Sequence, residues 1–393
     1  PAADTKPASP STEEIGHAEV IYEEFGEEAL DTITIKEYEK IPQPKRPNDV
    51  VIKVKSSTIS IVDCTIRRGM YHEDIPLPNI PGFDIIGTIH KMGKSAKKSE
   101  RFQEGDRVAA LTRTGGNARY ANVPISRLVR VPGSVDSAEA ACIVTTFATA
   151  YQVLHRARPD SETHSLEGKH VLITGGSGPT GQAMIQLAHL AGASKVYSTA
   201  LEKYHGMLRH LGAVPLPLTT KDWLPEVEGE MDFVADSLCQ DDFASPHAAL
   251  KKGGHLVVMG VSAINNTESR GMFGQPVSAK LAMFKARNVM SNTTVFDLWE
   301  SFERKPEVYK VWYILFYFVA MKVIGCFWFF HIHILLCLSS LLQRDLEYLL
   351  TLLEKEKIKP NLAGRVPLYD VPEAQKKIQE GKIRGMLVCK PWK

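Results

Sequence analysis

The sequence has no excess of charge of either sign. It carries 47 Lys and Arg against 45 Asp and Glu, a formal net charge of +2 over 393 residues. That balance argues against binding nucleic acid or an anionic membrane through bulk electrostatics. A local basic site for an acidic substrate stays open, because it would not show in the total. Cysteine is sparse: Cys64, Cys142, Cys239, Cys326, Cys337 and Cys389. None forms a C-x-x-C pair or a Cys/His cluster with zinc spacing. Scattered thiols point to a reducing compartment, the cytoplasm, and away from a disulfide framework. An initiator Met is also lacking, so a fragment or a processed form is expected, and a removed targeting peptide stays open. Residues 1–14, PAADTKPASPSTEE, are expected to be a disordered tail. The length allows two domains and a full core.

What the chain does have is concentrated in His170 to Gly181, HVLITGGSGPTG. Val171-Leu172-Ile173 reads as a buried strand. Gly176-Ser177-Gly178-Pro179-Thr180-Gly181 then fits G-x-G-x-x-G, and Met184, Leu187, Ala188 and Ala191 recur with the spacing of one helix face. Strand, glycine turn and helix form the context in which this motif binds a dinucleotide. The glycines permit the tight turn, the approach of backbone to a pyrophosphate, and close packing of helix on strand. The helix N-terminus adds N–H donors and partial positive charge. A ligand-free glycine turn is the bland alternative.

Around this motif the pattern changes once. From residue 15 to about 145 it reads as mostly β, with strands expected at Ala18–Tyr22, Asp31–Tyr38, Asp49–Ser56, Asp84–His90, Arg107–Leu111 and Arg127–Val131. From 150 to 300, strands and helices alternate. His170–Thr174, a helix over Thr180–Ala191, Lys195–Thr199, a helix near Lys203–Leu211, Met231–Asp236 and His255–Gly260 follow one another. That series predicts an α/β domain with a parallel, doubly wound sheet.

Residues 311–343, VWYILFYFVAMKVIGCFWFFHIHILLCLSSLLQ, do not fit either pattern. The block is apolar all round, with Lys322 almost its only charge. About 20 apolar residues suffice to span a bilayer, so one reading is a membrane anchor, weakened by the interruption at Lys322 and Gly325. The preferred reading is a retained intron translated in frame. A Val311 codon begins GT, CAG fits Gln343, and Phe, Leu, Ile, Val and Met all carry T at the second codon position.

Ordered stretches along the chain resemble one family. They are Ser60-Ile61-Val62-Asp63, Arg67-Arg68-Gly69-Met70-Tyr71, Pro81-Gly82-Phe83-Asp84 and Phe102-Gln103-Glu104-Gly105-Asp106-Arg107-Val108. Thr149-Ala150-Tyr151, the glycine motif, Asp232 to Ser237, Lys252-Gly253-Gly254 and GKIRGMLVCKP near Gly381 complete the set. From about Ile15 to Pro391, apart from the apolar block, the chain resembles the medium-chain dehydrogenase/reductase superfamily in its zinc-independent quinone oxidoreductase and enoyl reductase branch. The resemblance implies a GroES-like β-barrel catalytic domain over 15–148, completed by 363–393. It implies a Rossmann NADP-binding domain over 149–310, continued by 344–362, an active-site cleft between the two, and a homodimer formed through a sheet edge near Val257 to Asn292.

Departures from the family refine the chemistry. Zinc-dependent relatives carry Gly-His-Glu where this chain has Gly82-Phe83-Asp84, and Phe83 cannot ligate a metal. Cys64 lies near a family zinc ligand but lacks a companion His, and reads as a small buried residue. No metal is therefore expected, and reduction of a conjugated acceptor suits the site better than alcohol oxidation. An NAD site usually has an acid at the end of its second strand. Here that end reads Ser198-Thr199-Ala200-Leu201-Glu202-Lys203, so NADPH is expected, with Lys203 neutralising the 2′-phosphate and Glu202 as the counter-candidate. Leu218-Thr219 replaces the family's Asn-Tyr.

The implied reaction is hydride transfer to a quinone or an α,β-unsaturated carbonyl, a small-molecule acceptor. Donors are needed where negative charge develops on oxygen. The resemblance points to Tyr71 as donor or proton relay and to Asp63 as an orienting group. Ser60 and Thr65 stand where the family has Asn and a second Tyr, and offer shorter hydroxyls. The bland alternative is that these are β-barrel and turn residues, with Arg67 and Arg68 merely solvated. Expected cofactor contacts are Thr149, Gly176, Ser177, Gly178, Pro179, Thr180, Gly181, Thr199, Lys203 and Gly260. The alternative is a catalytically weak NADPH-binding sensor or scaffold, membrane-attached if 311–343 is an anchor.

Overall fold

The alternation around Ala18 and Val20 folds as β1 (His17–Ile21), which pairs antiparallel with β2 (Thr34–Tyr38). The computed structural model describes residues 16–71, 75–155, 165–259, 285–287, 290–296 and 342–393. The chain divides into two units, one running to Thr145 and resuming at Lys359, the other spanning Thr146–Ile358.

The first unit is built on β3 (Asp49–Ile59), an eleven-residue strand buried along almost its whole length. Three neighbours explain that burial. β3 pairs antiparallel with β4 (Asp84–Met92), with β6 (Tyr120–Pro124) and, at its far end, with β15 (Met386–Lys390). β5 (Arg107–Leu111), β7 (Leu128–Arg130) and β14 (Leu362–Pro367) complete the sheet order β14-β15-β3-β4-β5-β7, with β6 on β3. Val50, Ile52 and Val54 enter one core with Ile85, Ile89, Val108 and Leu128. Ile59 enters another with Val20, Leu368, Val371 and Leu387, so the C-terminal segment is an integral part of this unit.

Two expectations are corrected here. The strand expected over Asp31–Tyr38 begins only at Thr34, because Ala29–Thr32 forms a short helix, α1, closed by the Ile33 amide donating to Ala29 O at 3.0 Å. Arg67 is not solvated. It closes α2 (Ile61–Arg67) with 0% exposure. Its guanidinium donates to Gly26 O, Glu27 O, Gln375 Oε1 and Gln379 Oε1 at 2.6–3.1 Å. A charge so deep is tolerated because every arm of the fork is hydrogen-bonded.

After α3 (Ser137–Cys142), the second unit begins within a π-helical turn, Ile143–Phe147, and continues into α4 (Ala148–His155). Its strands are β8 (His170–Ile173), β9 (Lys195–Thr199), β10 (Val214–Leu216), β11 (Met231–Asp236), β12 (Leu250–Val258) and β13 (Thr293–Val295). Every pairing is parallel, in the order β10-β9-β8-β11-β12-β13. Counted within the unit this is 3-2-1-4-5-6, the order of a dinucleotide-binding sheet, and it reverses between β8 and β11. Helices α5 (Pro179–Leu190), α6 (His205–His210), α7 (Thr220–Val227) and α8 (Ala244–Ala248) alternate with the strands. Leu172, Val234, Leu256, Trp223 and Phe243 fill a core against the sheet.

Boundaries differ from expectation in three places. α5 starts one residue early, at Pro179, where a fixed φ and a missing N–H suit the first helical position. The helix expected from Lys203 opens as a 3₁₀ turn, Glu202–Tyr204, before α6. β12 begins at Leu250 rather than His255, and its register against β11 shifts between Met231 and Phe233. Gly253 takes φ +82° there, a left-handed value that glycine accepts freely. Residues 311–341 of the apolar block lie outside the described residues. Leu342 and Gln343 are buried at the start of a helical run, 342–354. Among the described residues no helix is long and apolar enough to cross a membrane.

Candidate functional site

In the second unit the sheet order reverses at the carboxyl ends of β8 and β11, where doubly wound sheets bind their ligands. The glycine turn leaves β8 at this point. Gly175, which the sequence reading passed over, is the residue in the left-handed region, with φ +71°. Its amide donates to Thr199 Oγ1 at 3.1 Å and its carbonyl accepts the Gly178 amide at 3.0 Å. The turn is thus shaped by Gly175, Gly178 and Gly181, and the doubled glycine after Thr174 was the available signal. A Cβ at Gly176 would collide with the Ser198 hydroxyl. At Gly181 it would meet Gly175 O at 2.6 Å and Gly176 Cα at 2.7 Å, so this glycine brings α5 onto the turn. At Gly178 it would meet only Gly175 O at 3.4 Å, so that face of the turn is open.

Gly178 is the N-cap of α5, and no side chain caps this twelve-residue helix. Its first turn offers the Thr180 and Gly181 amides, Pro179 having no N–H, and the positive end of the dipole to an anion. The Ser177 carbonyl accepts from Gln182 Nε2 at 2.8 Å, which turns Ser177 back along the helix. These residues fit a bound pyrophosphate: the cradle is one that side chains would fill.

Thr199 ends β9 fully buried, and Ser198 Oγ donates to Ile173 O at 2.8 Å. Both hydroxyls therefore serve the turn and the neighbouring strand. Beyond them, Lys203 is exposed with its Nζ 5.1 Å from the Tyr204 ring centroid, and Glu202 is exposed beside it. Thr219 caps α7 and its hydroxyl bonds to Asp222. Thr149 lies partly exposed on α4. Gly260 lies outside the described residues.

Asp236, at the end of β11, was not singled out. It is buried, and its carboxylate accepts from Thr174 Oγ1 and from the Cys239 amide at 2.9 Å. Thr174 Oγ1 in turn accepts the Ser237 amide at 3.1 Å. This network joins the tips of β8 and β11 at the entrance to the glycine turn. Burial outweighs those hydrogen bonds and pushes the Asp236 carboxyl up to about 6.

In the first unit, Ser60 is the N-cap of α2 and forms a reciprocal capping box with Asp63. Ser60 Oγ donates to Asp63 Oδ2 at 2.8 Å and accepts the Asp63 amide at 3.3 Å. Asp63, 1% exposed, also accepts the Ser60 amide at 2.7 Å and the Gly82 amide at 2.8 Å. It therefore fixes Gly82-Phe83-Asp84 against α2. Burial raises its carboxyl above the usual range in spite of these donors. Thr65 Oγ1 donates to Ile61 O at 2.9 Å. Ser60 thus directs its hydroxyl hydrogen to Asp63, and Thr65 directs its own back along α2 to the Ile61 carbonyl. Tyr71 follows α2 and is partly exposed.

Phe83 is buried, and so is Cys64, whose thiol is pushed up to about 12, chiefly by burial, and donates to Gln375 O at 3.5 Å. Among the described residues no three His, Cys, Asp or Glu side chains converge on a metal position. Asp84 is a second buried acid of this unit. Its two oxygens accept from Thr58 Oγ1 and from Thr145 Oγ1, and burial pushes the carboxyl up to about 7.

Comparison with known proteins agrees with both units. Residues 46–133 match the alcohol dehydrogenase GroES-like domain. The chain is 31% identical over 250 residues to the NADPH-dependent alkenal/one oxidoreductase, chloroplastic, of Arabidopsis thaliana, a match covering 61% of each chain. It is 25% identical over 372 residues to the synaptic vesicle membrane protein VAT-1 homolog of Rattus norvegicus, covering 92% of this chain and 81% of that one. Among solved structures, that of human synaptic vesicle membrane protein VAT-1 homolog-like protein superposes with TM-score 0.69 at 22% identity, over 96% of this chain and 99% of that one. CurK enoyl reductase superposes with TM-score 0.70 at 21% identity, over 95% and 99%.

Proposed function

Because this chain belongs to the medium-chain dehydrogenase/reductase superfamily, we propose that it is an NADPH-dependent oxidoreductase. Its acceptor is a quinone or an α,β-unsaturated carbonyl, and it works without zinc. The observation that carries the reading is the glycine turn at the reversal point of a 3-2-1-4-5-6 parallel sheet, whose second strand ends in Thr199 rather than an acid, with Glu202 and Lys203 exposed just beyond it. The matched stretch spans 61% of the alkenal/one oxidoreductase, so that relative's substrate class supports this reading as a likeness.

The α5 N-terminus and the open face at Gly178 would take the pyrophosphate. Lys203 would pair with the 2′-phosphate, and Thr149 would lie beside the nicotinamide. When bound, NADPH supplies the hydride. Asp63 orients Gly82 to Asp84, and Tyr71 offers a hydroxyl to the acceptor oxygen. Phe83 in place of a ligand supports acceptor polarisation by hydrogen bonds rather than by a metal. The free, buried cysteines Cys64, Cys142, Cys239 and Cys389 suit a reducing, cytoplasmic setting, and assembly as a homodimer would use the sheet edge at β13.

A second reading, a weak enzyme serving as NADPH sensor or scaffold, is favoured by one observation. Ser60 and Thr65 commit their hydroxyl hydrogens to acceptors on α2 itself, Asp63 and the Ile61 carbonyl. Titration of the purified protein with NADPH, followed by addition of acceptor, separates the two. Binding with acceptor-dependent oxidation supports the reductase. Binding without it supports the sensor.

A further inference from the structure

We propose that Lys390 is a covalent capture site for small anionic aldehydes, which it holds as a Schiff base with the help of Ser137 and Ser56. The site lies wholly within the first unit and depends neither on dinucleotide binding nor on the reductase reading above. Three segments far apart in sequence build it. β3 supplies Ser56, α3 opens with Ser137, and β15 ends in Lys390. Lys390 Nζ lies 2.8 Å from Ser137 Oγ and 3.0 Å from Ser56 Oγ, and Ser56 Oγ donates to Ser137 Oγ at 3.0 Å. The three polar atoms close a triangle. Ser56 is fully buried, while Ser137 and Lys390 are partly exposed, so the triangle has a buried corner and an outer edge.

Among the described residues no carboxylate oxygen bonds to Lys390 Nζ; both its partners are hydroxyls. The charged groups facing it are Lys55 on β3, Arg365 on β14, Asp136 at the start of α3 and Lys393 in its own tail. Asp136 is already engaged: its Oδ1 accepts the Ala138 and Glu139 amides and pairs with Arg365 at 3.0 Å. Lys55, Arg365 and Lys393 are exposed cations, so the surroundings disfavour an ammonium and attract an anion. Burial first, and those like charges with it, hold the Lys390 amine below the ordinary lysine range against the pull of Asp136. A lysine that is desolvated or set beside other cations is a nucleophile toward carbonyls.

The serines supply the remaining chemistry. A neutral amine keeps two N–H donors for the two hydroxyls and has its lone pair left for attack. Ser137 Oγ accepts from both Ser56 and Lys390, which fills its two acceptor positions and directs its own O–H out of the triangle. That O–H suits a carbonyl oxygen whose carbon the neighbouring nitrogen attacks. The step balances as follows. The C–N bond forms, the C=O pair moves onto oxygen, and that oxygen takes the Ser137 proton. A nitrogen proton passes to Ser137, giving a neutral carbinolamine. The hydroxyl then leaves with a proton from Ser137 as water, the nitrogen lone pair forms C=N, and the last nitrogen proton restores Ser137. Nothing is oxidised or reduced.

The test incubates the full-length protein with pyridoxal 5′-phosphate, reduces the imine with borohydride and maps the peptides by mass spectrometry. Lys390 should be modified at least about tenfold faster than Lys382, an exposed ammonium that Glu380 keeps charged at 2.8 Å. Lowering the pH from about 9 to about 7 should slow Lys390 less than Lys382. Ser137→Ala should slow capture at Lys390 about tenfold, and Ser137→Thr should restore it. Pyridoxal, which lacks the phosphate, should react at least about threefold more slowly. Labelling of Lys390 no faster than that of Lys382 overturns the proposal, as does an unchanged rate in Ser137→Ala. Equal rates with pyridoxal and its phosphate overturn the preference for anions. The comparison of the two lysines is made within wild type, so it stands even where a variant fails to fold.

Discussion

The Gly175 amide donates to Thr199 Oγ1 at 3.1 Å, tying the exit of β8 to the tip of β9. This bond holds the one left-handed residue of the turn in place, so the shape of the phosphate cradle depends on a side chain from the next strand. Thr199→Val keeps the volume but leaves a partly buried N–H unpaired, at about 1–3 kcal/mol. The expected outcome is weaker NADPH binding and a lower melting temperature, read by calorimetric titration and thermal denaturation.

Gly181 and Gly178 should respond differently to the same methyl group. At Gly181 the added carbon meets backbone at 2.6 Å and 2.7 Å. Gly181→Ala should therefore destabilise the protein by about 1–3 kcal/mol, as overpacking does. At Gly178 the nearest atom is 3.4 Å away. Gly178→Ala should leave the melting temperature nearly unchanged while weakening dinucleotide binding, because the methyl occupies the face offered to the pyrophosphate.

Lys203 is the proposed determinant of cofactor choice. Lys203→Ala should raise the KM for NADPH about tenfold, the size of one lost charge-assisted contact, and leave NADH unaffected. Steady-state kinetics with both dinucleotides reads this directly. An equal loss with both would place Lys203 outside the cofactor site.

Asp84 and Asp236, with Asp63 raised in the same sense, set a pH dependence of stability. The folded state holds protons on Asp84 up to about 7 and on Asp236 up to about 6, against an ordinary value of 3.8. The folded chain thus binds more protons than the unfolded one between about 4 and 7. Stability from these groups is full at the acid end of that window and declines as pH rises through it. Melting temperatures should fall from pH 5 to pH 8 in wild type, and by less in Asp84→Asn and Asp236→Asn.

Much of this was legible locally, where short-range chemistry decides. The strand, glycine turn and helix at 170–190 follow from periodicity and turn residues, whereas S-x-x-D at Ser60 to Asp63 was a capping-box signal passed over in favour of a role at the acceptor. What was not legible depends on distant partners. Arg67 reads as solvated until Gln375 and Gln379, about three hundred residues on, are packed against it. Thr58 and Thr145 reach Asp84 only once β3 pairs with β4 and the π-turn packs beside them. The left-handed Gly175 and the passage of β12 through Gly253 depend on backbone angles that composition does not report.

The most direct test of the central claim is the initial rate of NADPH and NADH oxidation by the purified protein with 1,4-benzoquinone and but-3-en-2-one. The account predicts acceptor-dependent oxidation with kcat/KM at least about tenfold higher for NADPH, as one charge-assisted phosphate contact gives. Faster oxidation of NADH, or bound NADPH that no acceptor oxidises, would contradict it.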